Sequence, residues 1–455
     1  MSSGKNCGES GGATAMTLPS SFTSIGRLGS AGAGSLPHWM IEGENLRALS
    51  DLSELLAGSV DLIYLDPPYN TGDTDRSYLD SFGSNVEWKG FLAPRLRAAL
   101  PLLTRTGVVV ISVGDAGLAP LRGLADEIFG ARNYLTTLIQ QGGVRNSARF
   151  TGAGVDYMLV YGRDRLAMRR ADVRWREQKP GVEEILRAGA SAWSRSGHRA
   201  DVATAHLRAW WRSREHAFAR GLHEYCRVDA SGRVFRIGYL GAPHGAGGGR
   251  YDVMDPVRRR VVASPPADWV VSEHRMKQLI AEDRVEFHDD RDRVPSRKLF
   301  LDEMTTQAPL PTFEQRRDAG TLRLRQILGE HRFDHPKDPQ VLARWFRMMA
   351  GPDALILDFF AGSGTTSDAV MLLNHQDGGS RRSVLITTNE VAPRDVASLT
   401  ADGAARGDDR WEARGVFRNV LRPRIETLVS GIRPNGSMFS TGLLEQVEFF
   451  RMTEG

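Results

Sequence analysis

The chain has 455 residues, 41% hydrophobic and 25% charged, which is enough apolar material for a buried core and enough length for two or three domains. Lys and Arg outnumber Asp and Glu by 59 to 55, there are only two cysteines, and no apolar run approaches the ~18–20 residues of a membrane span. These features exclude a disulfide scaffold, a cysteine-built zinc site and a transmembrane protein. With no apolar leader visible, they set the expectation of a cytoplasmic protein.

Residues 1–36 are rich in Gly, Ser, Ala and Thr without periodicity and are expected to form a disordered tail. Over 37–163, strand and helix patterns alternate. The run 60–65 (VDLIYL) reads as a strand buried in a parallel sheet, 91–103 and 118–129 as helices, and 107–112 and 157–161 as further strands. From 164 to 330 the apolar runs shorten, and arginine interleaves with aromatics, as in Trp210-Trp211-Arg212 and Arg258-Arg259-Arg260. Such a segment suits phosphate contact and base stacking, and it equally suits a solvated arginine-rich surface. Within it, 241–249 reads as a flexible glycine loop. The α/β pattern returns over 331–400, with strand 354–360, helix 365–374 and strand 383–388. A C-terminal extension, 401–455, follows. Two α/β segments around a foreign insert predict one discontinuous domain with one insertion.

Two motifs carry chemistry. The first, Leu65-Asp66-Pro67-Pro68-Tyr69-Asn70, follows a predicted strand, at the edge where open α/β sheets place ligands. The prolines fix the turn and remove backbone donors, which leaves carbonyl acceptors beside the Asp66 carboxylate. An aromatic amino group is a poor nucleophile because its lone pair is delocalised. Acceptors on both N–H bonds, from Asp66 and the Pro67 carbonyl, can draw the nitrogen towards tetrahedral geometry. Tyr69 can stack on a base swung out of a duplex. Taken alone, the motif also fits a plain Asp-Pro-Pro turn.

The second motif, Asp358-Phe359-Phe360-Ala361-Gly362-Ser363-Gly364-Thr365-Thr366, reads as strand, glycine turn and helix start. The lysine of a phosphate-binding loop is missing and position 367 is serine, so neither nucleotide fingerprint fits. A glycine loop flanked by carboxylates, with Glu390 placed after the next strand for ribose hydroxyls, suits S-adenosylmethionine. A glycine packing turn is the bland alternative. The histidines show no ligand-like spacing, and no metal is expected. Neither cysteine follows a proline, which argues against methylation of a ring carbon through a cysteine nucleophile.

Together these residues resemble the β-class DNA amino-methyltransferases, and specifically the modification subunits of type III restriction-modification systems. The likeness covers most of 40–391. It includes the block from Leu62 to Gly72, Asp126 to Gly130 with Asn133, Asp156 to Tyr161, Asp255-Pro256, Phe333 to Lys337 and Asn374 to Arg382. After about 391 it fades, and Arg414 to Phe450 is more similar to actinobacterial adenine-specific relatives, whose chains continue past this point.

The resemblance implies a three-layer, Rossmann-like S-adenosylmethionine-dependent methyltransferase fold with permuted motif order. Its parts are 37–163 and 331–400, interrupted by a target-recognition insert at 164–330. It implies catalytic roles for Asp66, Pro67, Pro68 and Tyr69, with Tyr157 as a second stacking residue. The cofactor contacts implied are Asn70, Lys337, Asp358, Phe360, Gly362, Gly364, Thr365 and Glu390. Double-stranded DNA is the implied substrate and adenine N6 the implied target, within a restriction-modification or phage-defence system. A homodimer and a separate helicase–nuclease restriction subunit are the implied partners. Cytosine N4 methylation and a non-catalytic DNA-binding subunit of a defence complex are the alternatives, with an RNA or protein methyltransferase third.

Overall fold

The structure is a computed structural model that describes residues 18–29, 37–71, 80–144, 153–213, 221–243, 245–290, 292–316 and 318–453. The chain forms two compact units, one of Met1–Trp175 with Leu310–Gly455 and one of Arg176–Pro309. Among the described residues, no helix is long and apolar enough to cross a membrane.

The larger unit is built on a ten-stranded sheet. Its strands are β1 (Phe22–Leu28), β2 (His38–Glu42), β3 (Val60–Leu65), β4 (Leu103–Gly114), β5 (Tyr134–Val144), β6 (Ala153–Gly162), β7 (Thr312–Glu314), β8 (Leu355–Asp358), β9 (Arg382–Thr387) and β10 (Val447–Met452). They lie in the order β1-β10-β2-β9-β8-β3-β4-β6-β5-β7. All run the same way except β6, antiparallel between β4 and β5, and the edge strand β1. Strand side chains alternate between two apolar layers. Ile63, Leu65, Val109, Ile111 and Leu357 face helices α1 (Asn45–Asp51), α2 (Asn85–Ala99) and α3 (Asp115–Ala125). Leu62, Tyr64, Val108, Val110 and Ile356 face α4 (Pro339–Met349) and α5 (Thr365–Asp377). The result is a three-layer α/β fold.

Several sequence expectations need correction. Phe22–Leu28, placed in the disordered tail, is a strand paired with β10, a partner more than 400 residues away that no local pattern can reveal. The rest of the expected tail, 1–17 and 30–36, lies outside the described residues. The segment 401–455 is no appendage. β10 lies within the main sheet, and helix α6 (Arg422–Ser430) buries Ile425 and Leu428 against it. The insert is narrower than 164–330, because Met168, Trp175 and Phe313 pack in the layer under the sheet.

In the smaller unit the helices Val182–Arg195 and Ala200–Arg212 pack through Ile185, Leu207 and Trp211, and a third helix, Glu273–Ala281, buries Met276 and Leu279. A short four-stranded sheet joins Val285–Glu286, Ser296–Phe300, Val234–Gly238 and Arg227–Val228. The expected flexible glycine loop is instead pinned to Trp269. Gly248 N–H donates to the Trp269 carbonyl at 2.7 Å, and a Cβ on Gly247 would lie 2.2 Å from that same oxygen. Many arginines here are matched to acids, as in Arg233 with Asp302 and Glu303, and Arg227 with Glu286.

Candidate active site

Strands β3 and β8 are parallel neighbours at the centre of the sheet. After β3 the chain crosses to β4 on one side, and after β8 to β9 on the other. The carboxyl ends of this pair form the switch point where such sheets leave a crevice. Both sequence motifs sit there.

Asp66 and Tyr69 are joined directly, the Tyr69 hydroxyl donating to Asp66 Oδ1 at 3.0 Å. Lys337 closes the group. Its Nζ donates to the Tyr69 hydroxyl at 2.6 Å and lies 3.2 Å from Asp66 Oδ1, 4.9 Å from the Tyr69 ring centre. Burial opposes the lysine charge, but Asp66, Tyr64 and Asp156 outweigh it and hold Lys337 above its ordinary range. Pro67 is buried, and among the described residues nothing donates to its carbonyl. The Pro68 carbonyl accepts from Trp88 Nε1 at 2.7 Å, which anchors the turn to α2.

Asn70 has a different task from the one expected. With φ at +58°, its N–H donates to the buried Asp80 and its side-chain oxygen accepts from Phe82 N–H, so it ties the loop back on itself. It does not line the crevice.

The glycine turn is set by backbone geometry. Gly362 (φ +46°) and Gly364 (φ +81°) occupy the left-handed region. Gly362 lines the crevice, whereas Gly364 backs it, and a Cβ there would meet Leu421 at 3.2 Å. Asp358 accepts from Thr366 Oγ1 at 2.6 Å and Phe360 N–H at 2.9 Å. Burial nevertheless pushes its carboxyl up to about 7, with Asp66 adding to the rise. Behind the turn, the fully buried Arg424 donates to the Ser363 carbonyl at 3.1 Å, Thr365 Oγ1 at 3.0 Å and Asp368 Oδ2 at 2.8 Å. Burial would raise Asp368, but Arg424 and Arg323 hold it below the usual carboxylate range.

These elements enclose a groove of about 340 Å³. Asp66, Lys337, Asp358, Phe360, Thr365 and Glu390 all line it. A second cavity of about 360 Å³ lies against Tyr69, Asp156, Gln140 and Gln315, and it shares Asp66, His335, Pro336 and Lys337 with the first. Asp66 and Lys337 therefore form the partition between two chambers.

Tyr157 is not in either chamber. The strand's alternation turns it into the helix-side core, where its hydroxyl donates to Asp115 at 3.1 Å, and its neighbour Asp156 lines the second cavity.

Three groove residues, Asn45, Arg95 and Phe91, were given no role from the sequence. Asn45 donates to the Phe359 carbonyl at 2.8 Å and accepts from Arg95, while Phe91 sits 6.0 Å from Phe360. Phe333, first residue of the block Phe333 to Lys337 that carries the family resemblance, also lines the groove. Glu44, which also lines the groove, caps α1 and pairs with Arg95 at 2.6 Å. By resemblance Glu44 is a candidate cofactor contact, whereas Phe91 and Arg95 carry no motif, and only the α1–α2 contact brings Asn45 and Arg95 together.

A family model for N6/N4 methyltransferases, described as DNA methylase, matches residues 60–392. The StyLTI Mod subunit of Salmonella typhimurium, a type III restriction-modification enzyme, is 25% identical over 89% of this chain. The type II methyltransferase M.KpnI of Klebsiella pneumoniae is 29% identical over 76% of it. The chain spans 58% of the length of the first relative and 79% of the second. Among solved structures, the M1.HpyAVI–SAM complex aligns with a TM-score of 0.33 at 11% identity, covering 79% of this chain and 98% of that one.

Proposed function

The chain belongs to the DNA methylase family, and we propose that within it this protein methylates the N6 amino group of adenine in double-stranded DNA, using S-adenosylmethionine. The observation that carries this reading is the partition itself. A carboxylate and a lysine stand at a strand end between a glycine-turn groove and a second chamber, and the Tyr69 ring faces that chamber.

The groove fits the cofactor by its chemistry. Gly362 leaves the backbone open, Phe91 and Phe360 offer flat apolar faces, and Asp358 and Glu390 supply carboxylates for cationic and hydroxyl groups. Lys337 and Thr365 add to its polar lining. S-adenosylmethionine, when bound, supplies a methyl group made electrophilic by its sulfonium. This chain's residues prepare the acceptor. Lys337 and the Tyr69 hydroxyl both hold Asp66 Oδ1, so Oδ2 is left to accept one N–H of the target amino group. The Pro67 carbonyl accepts the other. Both polarise the nitrogen and stabilise positive charge as it forms, and Asp66 Oδ2, already on one N–H, would accept the proton that the methylated nitrogen gives up. The Tyr69 ring stacks on the flipped base, at a few kcal/mol of unstacking cost to the DNA.

Asp66 ahead of Pro-Pro-Tyr supports adenine, because cytosine-N4 members resembling it commonly carry serine there. The smaller unit, Arg176–Pro309, is read as the target-recognition part. The name of the Salmonella relative, a Mod subunit of a type III restriction-modification enzyme, supports a place in a restriction-modification system as the modification component. A separate restriction subunit and self-association into a homodimer are proposed from the family resemblance. The test is nucleoside mass analysis after incubating the protein with unmethylated genomic DNA and S-adenosylmethionine. N6-methyladenine is expected. N4-methylcytosine would keep the chemistry and overturn the base, and cofactor binding without product would favour the non-catalytic subunit.

A further inference from the structure

The larger unit carries a second concentration of charge, at the end of the sheet opposite Asp66. Strands β3 and β4 begin there, and a cavity of about 910 Å³ is lined by Arg105, Arg132, Arg163, Arg165, Arg169 and a single acid, Asp164. Five guanidinium charges against one carboxylate leave four unmatched. The surroundings do not neutralise them. Arg163 donates to the Leu100 carbonyl and Arg165 to the Tyr134 carbonyl at 3.3 Å, contacts that fix each guanidinium while leaving its charge and most of its five donors available. Among the described residues, the side chains of Arg132 and Arg169 have no hydrogen-bond or ion-pair partner, and both residues are exposed. Asp164 caps the helix Arg165–Arg170, accepting from Leu166 and Ala167 N–H at 3.0 Å each, and meets Arg105 only at 3.5 Å. The smaller unit, by contrast, matches many of its arginines to acids.

We propose that this cavity binds the phosphate backbone of a second DNA segment, distinct from the one whose base enters the catalytic chamber. Fixed, forked guanidinium groups with spare donors are the side chains best suited to phosphate oxygens. Placement at opposite edges of the sheet points to a second segment. Leu103, at the start of β4, lines the basic cavity, and Gly114, at its end, lines the catalytic-side chamber. At about 3.3 Å per residue the two ends of that strand are on the order of 35 Å apart. The two sites therefore lie at opposite edges of the sheet, and a duplex laid across the carboxyl edge, stiff over about 150 base pairs, does not bend back to reach the other. The choice of DNA as the polyanion rests on the function proposed above, but the binding itself needs no cofactor and no turnover.

The test therefore omits S-adenosylmethionine. Full-length protein is mixed at low salt with excess short labelled duplex, and bound duplex per chain is read by sedimentation, for wild type and for Arg132→Glu/Arg169→Glu. Wild type is expected to bind two duplexes per chain and the double variant one. The log–log salt dependence of overall binding should become shallower by about 2, roughly one per arginine removed. Arg132→Ala/Arg169→Ala, with thermal melting of both variants, guards against misfolding and should give the same loss. One duplex per wild-type chain, or equal stoichiometry and salt slope in wild type and variants, overturns the proposal. Two duplexes per wild-type chain here, with no methylated product in the separate nucleoside analysis, would leave this site standing while the catalytic reading fell.

Discussion

Binding of S-adenosylmethionine should release a proton near pH 6. Asp358 is 2% exposed, and burial with the nearby Asp66 pushes its carboxyl up to about 7 despite the bonds from Thr366 and Phe360. Against an ordinary value of 3.8, that is a penalty of about 4 kcal/mol on the anion in the empty groove. At pH 6 about nine in ten Asp358 carboxyls are then protonated. A cationic sulfonium in the same groove favours the carboxylate and lowers its pKa. Affinity should therefore rise with pH, by up to about tenfold per unit, until pH 7, and level off above it. The stability sign is opposite. A raised acid takes up a proton in the folded state, so its contribution is full below 3.8, declines as pH rises, and is gone above about 7. Isothermal calorimetry at pH 6 and pH 8, in two buffers of different ionisation heat, counts the protons. Wild type should release close to one at pH 6 and close to none at pH 8, and Asp358→Asn none at either. Equal release from wild type and Asp358→Asn at pH 6, or none from wild type, would refute the reasoning.

Further outcomes follow from the same geometry. Arg424→Met leaves Asp368 buried with Arg323 alone and frees the Ser363–Thr365 turn, so chemical denaturation should register a loss of about 3–5 kcal/mol, with Arg424→Lys between the two. Gly364→Ala forces a Cβ into the left-handed region 3.2 Å from Leu421, and the same assay should show a loss of about 1–2 kcal/mol. Tyr69→Phe keeps the ring but removes the hydroxyl shared by Asp66 and Lys337. Flipping of a 2-aminopurine target, followed by fluorescence, should survive in Tyr69→Phe and fail in Tyr69→Ala.

The fold's centre was legible because buried parallel strands declare themselves. The run at Val60–Leu65 and the cofactor-side pair Leu355–Asp358 and Arg382–Thr387 fall where apolar continuity places them. The edges were not. Phe22–Leu28 and Val447–Met452 are strands because they pair with each other and with His38–Glu42, a long-range fact absent from either segment alone. Motif residues that meet the groove through their own strand, such as Asp66 and Asp358, were found. Asn45 and Arg95 were not, since each reaches the groove only through helix packing. Tyr157 was placed on the site by resemblance, but strand parity decides which of two neighbouring side chains faces the chamber, and it favours Asp156. Arg424 gave no signal at all. A buried arginine beside a glycine turn is defined by its partners, all more than fifty residues away.

The most direct test separates Asp66 from the groove it borders. Single-turnover transfer of labelled methyl from S-adenosylmethionine to unmethylated DNA would be measured for wild type and Asp66→Ala, alongside cofactor affinity. The partition predicts transfer reduced by at least about 10²-fold in Asp66→Ala, with cofactor affinity close to wild type because Asp358, Phe360 and Glu390 still line the groove. Transfer undiminished in Asp66→Ala, or cofactor binding lost in proportion to it, would contradict the assignment of Asp66 as the acceptor that activates the target amino group.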